Sequence, residues 1–136
     1  MQYNRTVGCV DIHIDTKRID NNIRNAQKLL NMQISADCDD YIPFANGALR
    51  GAVNYPNGIY GGEIEWNTPY AHYQYEGELY LTEDGRSFAN KGEQKYPTGM
   101  PLHYHTPGTY DHWFERAKET HGQQWIDLVK REVGKG

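Results

Sequence analysis

Five apolar residues, Ile19, Ile23, Ala26, Leu30 and Ile34, recur at steps of four, three, four and four, and no other feature constrains the fold of this chain as much. Such spacing lines one face of a helix of about five turns. Thr16 stands before the run as a candidate N-cap. The opposite face carries Arg18, Asn22, Asn25 and Lys28 and is expected in water. Asp37, Asp39 and Asp40 follow, and carboxylates are disfavoured at a helix C-terminus, so the helix is expected to stop near Ala36. A second helical pattern closes the chain: Trp113, Ala117, His121, Trp125, Leu128 and Val129 hold one side, after Thr109 or Asp111 as a cap. Gly122 lies inside that run and costs about 1 kcal/mol relative to alanine, so a kink or break is expected there.

Between the helices the pattern shortens. Val10, Ile12 and Ile14 alternate with Asp11, His13 and Asp15, the period of a short half-buried strand. Tyr41 to Gly47 reads as an extended segment entering a turn, because Pro43 biases Ile42 away from helix and Asn46-Gly47 accepts positive φ. Residues 49–55 and 59–67 read as two strands of a hairpin turned by Pro56-Asn57-Gly58. Residues 78–82 and 102–106 are further strands, and 83–101, rich in glycine and proline, is the longest loop. These elements predict one α+β domain over residues 1–136: a mostly antiparallel sheet of about four to five strands packed with an N-terminal and a C-terminal helix. Trp66, Trp113 and Trp125 are its expected core anchors.

Composition narrows function by exclusion. Net charge is −4 and the basic residues are scattered, whereas binding along a nucleic-acid backbone wants a basic stripe; no sequence-specific nucleic-acid partner is expected. No run approaches the ~18 apolar residues of a membrane span, and Met1 to Arg5 do not lead into a signal-peptide core, so cytosolic synthesis is expected. Cys9 and Cys38 lack metal or redox spacing and read as free thiols. Nucleophile-elbow, phosphate-loop and dinucleotide-binding motifs are absent, and the pairs Glu63/Glu65 and Glu76/Glu78 read as solvated strand faces. One constellation suits a metal: His103 and His105 at i and i+2 of a strand, with His112 returning from the helix cap. A small metal-dependent enzyme or ligand-binding protein centred on these three is the alternative reading.

The richer signal is aromatic. Seven of the eleven tyrosines lie between residues 70 and 110, three of them in Tyr70-Ala71-His72-Tyr73-Gln74-Tyr75. Spacing at 70, 73 and 75 fits neither a clean helix nor a clean strand, and a short helical turn running into a loop is expected. Tyrosine offers large contact area at low entropy cost with a polar tip, which suits a protein interface and equally a sugar-stacking platform. Tyr70, Tyr73, Tyr75 and Tyr96 are the interface candidates, with Tyr73 and Tyr75 favoured as contact residues.

Three ordered segments resemble the phage minor capsid protein family, related to tail-completion and head–tail joining proteins of long-tailed bacteriophages. They are Tyr41-Ile42-Pro43-Phe44 with Gly47, Leu49 and Arg50; Pro69-Tyr70-Ala71 with Tyr73, Gln74 and Gly77; and His105-Thr106-Pro107-Gly108 leading to His112-Trp113-Phe114-Glu115 with Ala117 and Lys118. Pro43, Gly47 and Leu49 frame the first turn; Ala45-Asn46 stands where the family commonly has Asp-Thr. The resemblance implies a virion structural protein of the neck or upper tail, assembled in the host cytoplasm without cofactor or catalysis. It also implies a homo-oligomeric ring, hexameric or dodecameric, docked to neighbouring connector or tail proteins, with the 83–101 loop as a docking arm.

Overall fold

A computed structural model describes residues 1–43, 47–104 and 106–136. Phe44, Ala45 and Asn46 of the first turn, and His105, lie outside the described residues.

The chain opens with a hairpin of β1 (Gln2–Val7) and β2 (Val10–Asp15), followed directly by α1 (Lys17–Asp39). The expected second strand is present, but it is not half-buried: every residue of the hairpin is exposed. Thr16 precedes α1 without a side-chain cap bond to the backbone; its hydroxyl donates instead to the Met1 carbonyl and to Asp20. The helix continues past Ala36 to Asp39. Asp37 is spent on tertiary structure, accepting a 2.7 Å bond from the Trp125 indole N–H, while Cys38 is fully buried. Packing there outweighs the unfavourable dipole.

α1 runs antiparallel to α3 (Trp113–Val133). At one end of the pair, Asn22, expected in water, donates to the carbonyls of Val133 (3.2 Å) and Lys135 (2.7 Å). Near the other, the Tyr41 hydroxyl donates to Thr120. The end of α3 therefore sits over Asn22, so Ile19 and Ile23 of the apolar stripe remain exposed while Ala26 is buried and Leu30 and Ile34 pack against the core. That core joins Cys38, Ile42, Leu49, Ala71, Trp113, Ala117 and Trp125. Trp113 and Trp125 are buried and Trp66 half-buried, its ring edge-on to Trp113 at 5.9 Å.

Between the helices the expected single sheet of four to five strands is replaced by three separate two-stranded antiparallel ones. A 3₁₀ turn (Arg50–Ala52) precedes β3 (Val53–Asn54), which pairs with β4 (Glu65–Trp66). The expected hairpin partners do meet, but as two residues each. Gly51, Pro56, Gly58, Gly61 and Gly62 punctuate the two segments, and glycine and proline weaken or exclude ladder pairing. The turn at 55–58 forms, with Gly58 N–H on the Tyr55 carbonyl. After α2 (Ala71–Glu76), β5 (Glu78–Thr82) pairs with β6 (Lys95–Pro101). Residues 95–101 of the expected 83–101 loop are thus strand, and the expected 102–106 strand is replaced by a segment whose residues 102–104 have no regular structure.

α3 begins after His112, not after Thr109 or Asp111, and runs through Gly122 without a break. A Cβ added at Gly122 would meet only the Lys118 Cγ, at 3.5 Å. Gly122→Ala is therefore expected to stabilise the fold by about 1 kcal/mol, read as a rise in denaturation midpoint at unchanged slope; no change in midpoint would contradict it.

Candidate functional site

The tyrosine-rich segment forms α2, which ends at Gly77 with φ 74°. A Cβ at Gly77 would lie 2.7 Å from the Asp111 carboxylate, so glycine serves both the left-handed backbone and this close approach. The chain then returns beneath α2. Leu102 N–H donates to the Gly77 carbonyl and His112 N–H to the Tyr75 carbonyl, both at 2.9 Å, and the Tyr104 hydroxyl donates to the Gln74 carbonyl at 2.6 Å. Burial, reinforced by Asp111, pushes the Tyr104 phenol up to about 12, so it stays a donor. These bonds seat α2 on the core while its outer side remains free.

Tyr75 faces inward. Its ring meets Trp113 edge-on at 4.7 Å and lies 4.9 Å from His112, and its hydroxyl donates to the Glu115 carboxylate. Burial and that bond raise its pKa above the ordinary phenol value. Tyr73 faces the arm made by β5 and β6. Its ring is 4.9 Å from Tyr80, and the Lys95 ammonium lies 4.3 Å above it; contacts of this kind are worth roughly 0.5–1 kcal/mol at exposed sites. Tyr70 and Tyr96 are exposed, as are Phe88 and Met100 on the arm. The structure thus gathers Tyr73, Tyr80 and Lys95 into one aromatic face and turns the half-buried Tyr75 the other way, against Trp113. Tyr80 and Lys95 escape the sequence pattern because only strand pairing across the arm brings them to Tyr73.

The arm's tip closes on itself. Arg86 bonds Asp84 at 2.8 Å and also the Glu93 carboxylate, Glu93 accepts from Asn90 N–H, and Arg86 N–H donates to the Thr82 hydroxyl at 3.0 Å. The two carboxylates are held below their usual range by those bonds from Arg86. The loop between β5 and β6 is therefore built as a small folded unit.

The histidines are arranged differently from the metal reading. His103 is exposed. His112 adopts the left-handed region, φ 46°, with Glu76 at 3.7 Å and Asp111 at 3.5 Å. Burial opposes ionisation of Asp111, but bonds from Arg116 and His112 outweigh it and lower its pKa. Among the described residues no group of three or more histidines, cysteines or carboxylates is arranged to hold a metal ion. Cys9 is exposed and Cys38 buried, its thiol pushed up to about 12 by burial and then by Asp37 and Asp39, which leaves Cys38 chemically inert. No helix is long and apolar enough to cross a membrane among the described residues.

The profile of the family described as minor capsid protein aligns with residues 9–133. No curated protein and no solved structure matches the chain. The aligned span takes in β2, both long helices, the aromatic face and the arm, and the chain belongs to the phage minor capsid protein family.

Proposed function

We propose that this minor capsid protein is a neck component, a head–tail connector or tail-completion subunit, that assembles as a hexameric or dodecameric ring and docks neighbouring connector or tail proteins. The observation that carries the reading is the exposed aromatic and apolar set beside α2 and on the arm: Tyr70, Phe88, Tyr96 and Met100 stand in solvent next to a segment that backbone bonds tie to the core. Aromatic and methionine side chains of this kind are enriched where protein surfaces meet. A folded arm tip suits docking without a large ordering cost. The acidic balance and scattered basic residues suit a lumen that lets DNA pass without gripping it. Such a role needs no cofactor and no catalysis, and assembly takes place in the host cytoplasm.

Mass spectrometry of purified virions, with antibody-gold labelling, tests the location. Low copy number at the head–tail junction is expected; high copy number spread over the shell would overturn the neck role. A second expectation concerns the arm. Phe88→Ala with Tyr96→Ala should change stability by no more than about 0.5 kcal/mol per site, as at exposed positions generally, while joined particles fall sharply and free heads and tails accumulate. Normal particle yields would count against the arm as a docking element.

A further inference from the structure

The N-terminal hairpin leaves two strand edges open. Each strand is six residues long, every residue is exposed, and among the described residues neither strand pairs with anything but the other. A bond from the Thr16 N–H to the Met1 carbonyl, at 2.8 Å, fixes which backbone groups are spent. Hydrogen-bonded and non-hydrogen-bonded pairs alternate along an antiparallel ladder, and Met1–Thr16 falls in step with Tyr3–Ile14, Arg5–Ile12 and Val7–Val10. Those residues therefore turn their N–H and C=O groups into the hairpin. Gln2, Asn4 and Thr6 on β1, and Asp11, His13 and Asp15 on β2, turn theirs outward.

Open strand edges are templates for another chain, and folded proteins blunt them with proline, lysine or a bulge. The arm does so: β6 carries Lys95, Pro97 and Pro101, and its register with β5 shifts between Glu78 and Tyr80. The hairpin has no proline, no lysine and an unbroken register. Its six outward residues share one face, where they already pair across the hairpin. The Thr6 hydroxyl donates to Asp11 at 2.7 Å, the Gln2 amide donates to Asp15 at 3.3 Å, and Asn4 bonds His13. These pairs decide what fits the β2 edge. A second β2, antiparallel about His13 with faces matched, sets Asp11 opposite Asp15, and like charges directly opposite are destabilising. A second β1, in the register used within the chain, sets Thr6, Asn4 and Gln2 opposite Asp11, His13 and Asp15. Outward N–H groups then meet outward carbonyls, and polar and apolar side chains keep to their own faces. An ionised carboxylate has about four acceptor sites, so each aspartate can serve a donor of its own chain and one of the neighbour.

We infer that the outer edge of β2 pairs, antiparallel, with the outer edge of β1 in a second copy of this chain. Because the two edges differ, the contact is head-to-tail and repeats from copy to copy, the kind that closes into a ring when the rotation permits. The inference rests on the ring proposal for its setting and names the strands that join neighbours.

Amide hydrogen exchange of the full chain, measured dilute and concentrated beside analytical ultracentrifugation, tests it residue by residue. Dilute protein should exchange the outward amides of Asn4, Thr6, Asp11 and His13 faster than the inward amides of Arg5 and Ile12. On assembly the outward set should slow as well. Wild type that stays monomeric at about 1 mM, a concentration where even weak contacts show, or that assembles with its outward amides as fast as before, would overturn the inference. Two variants test the direction of the contact. Asn4→Pro and His13→Pro each remove one outward N–H, from β1 and from β2, while sparing the inward ladder; proline is tolerated on such an edge. Each variant alone is expected to sediment as a monomer, and an equimolar mixture as a dimer that grows no further, one intact β2 edge meeting one intact β1 edge. His13→Pro dimerising alone, which would mean that β1 pairs with itself, or a mixture that stays monomeric would also overturn the inference. Where a proline variant loses the Tyr3–Ile14 contact in its NMR spectrum, the exchange comparison on wild type decides alone. Position in the virion is read separately, so this edge pairing and a neck location can fail independently.

Discussion

Trp113→Ala is expected to remove a large share of the fold's stability, read as a fall of about 3–5 kcal/mol in unfolding free energy. Trp113 is 1% exposed, the largest fully buried side chain, and carries edge-on contacts to both Trp66 at 5.9 Å and Tyr75 at 4.7 Å. Truncating such a residue costs about 3–5 kcal/mol through lost transfer energy and the cavity left behind, against a total of about 5–15 kcal/mol for a domain. Losing it also unseats Tyr75, and with it the segment that presents the aromatic face. Trp113→Phe discriminates between packing and polarity. The indole N–H has no hydrogen-bond partner among the described residues, and an unsatisfied buried donor is itself unfavourable by about 1–3 kcal/mol. Phenylalanine removes that donor while keeping most of the ring, so its cost should be well below alanine's. Urea denaturation of the two variants measures both. Equal losses would mean that the indole N–H is satisfied in solution.

Both long helices are legible in the sequence because each carries a sustained apolar period, whereas the tyrosines at 70, 73 and 75 fit no clean period and mark α2 only as a short helical turn. The error at Ala36 has a local cause and a tertiary remedy: the acidic run is unfavourable at a helix end, and only the Trp125 indole, 88 residues away, explains why Asp37 stays helical. At Gly122 the opposite happens. A residue whose propensity argues for a break is held in line by the helix on either side and by packing against α1.

The expected single sheet does not form, for a reason that period-2 patterns cannot reveal. Alternation locates a strand but not its neighbours, and the glycines between 47 and 67 shorten β3 and β4 to two residues each. The first strand escapes the pattern reading altogether, although Tyr3, Arg5 and Val7 alternate with polar residues ahead of Gly8. At the candidate site the sequence locates the tyrosines but not which way each one faces. Tyr73 and Tyr75 are two residues apart on a short helix and so point apart, one to the arm and one to Trp113.

The other large effect is expected at Asn31, a residue of the apolar helix that no periodicity argument singles out. It is 2% exposed and donates from its amide nitrogen to the carbonyls of Ile59 (2.8 Å) and Gly61 (2.7 Å), while its oxygen accepts from Gln27 at 2.9 Å. These bonds tie the loop between β3 and β4 to α1. Asn31→Asp keeps the shape and reverses the electrostatics: an ionised carboxylate would face two carbonyl oxygens in a buried site. An uncompensated buried charge costs about 3–5 kcal/mol. Burial and those oxygens both favour the protonated acid, so the pKa at position 31 must rise on folding above the unfolded value of about 3.9. The sign follows. The variant's deficit relative to wild type is smallest below about pH 4, where the acid is neutral in both states and can donate one of the two lost bonds. It grows as pH rises and levels off above the folded pKa, having gained about 1.4 kcal/mol for every pH unit that separates the folded from the unfolded pKa. Denaturation of wild type and variant from about pH 3 to about pH 8, which brackets that rise, gives the difference directly. A deficit independent of pH would show that the Ile59 and Gly61 carbonyls turn away from position 31, and that the loop is held by other contacts.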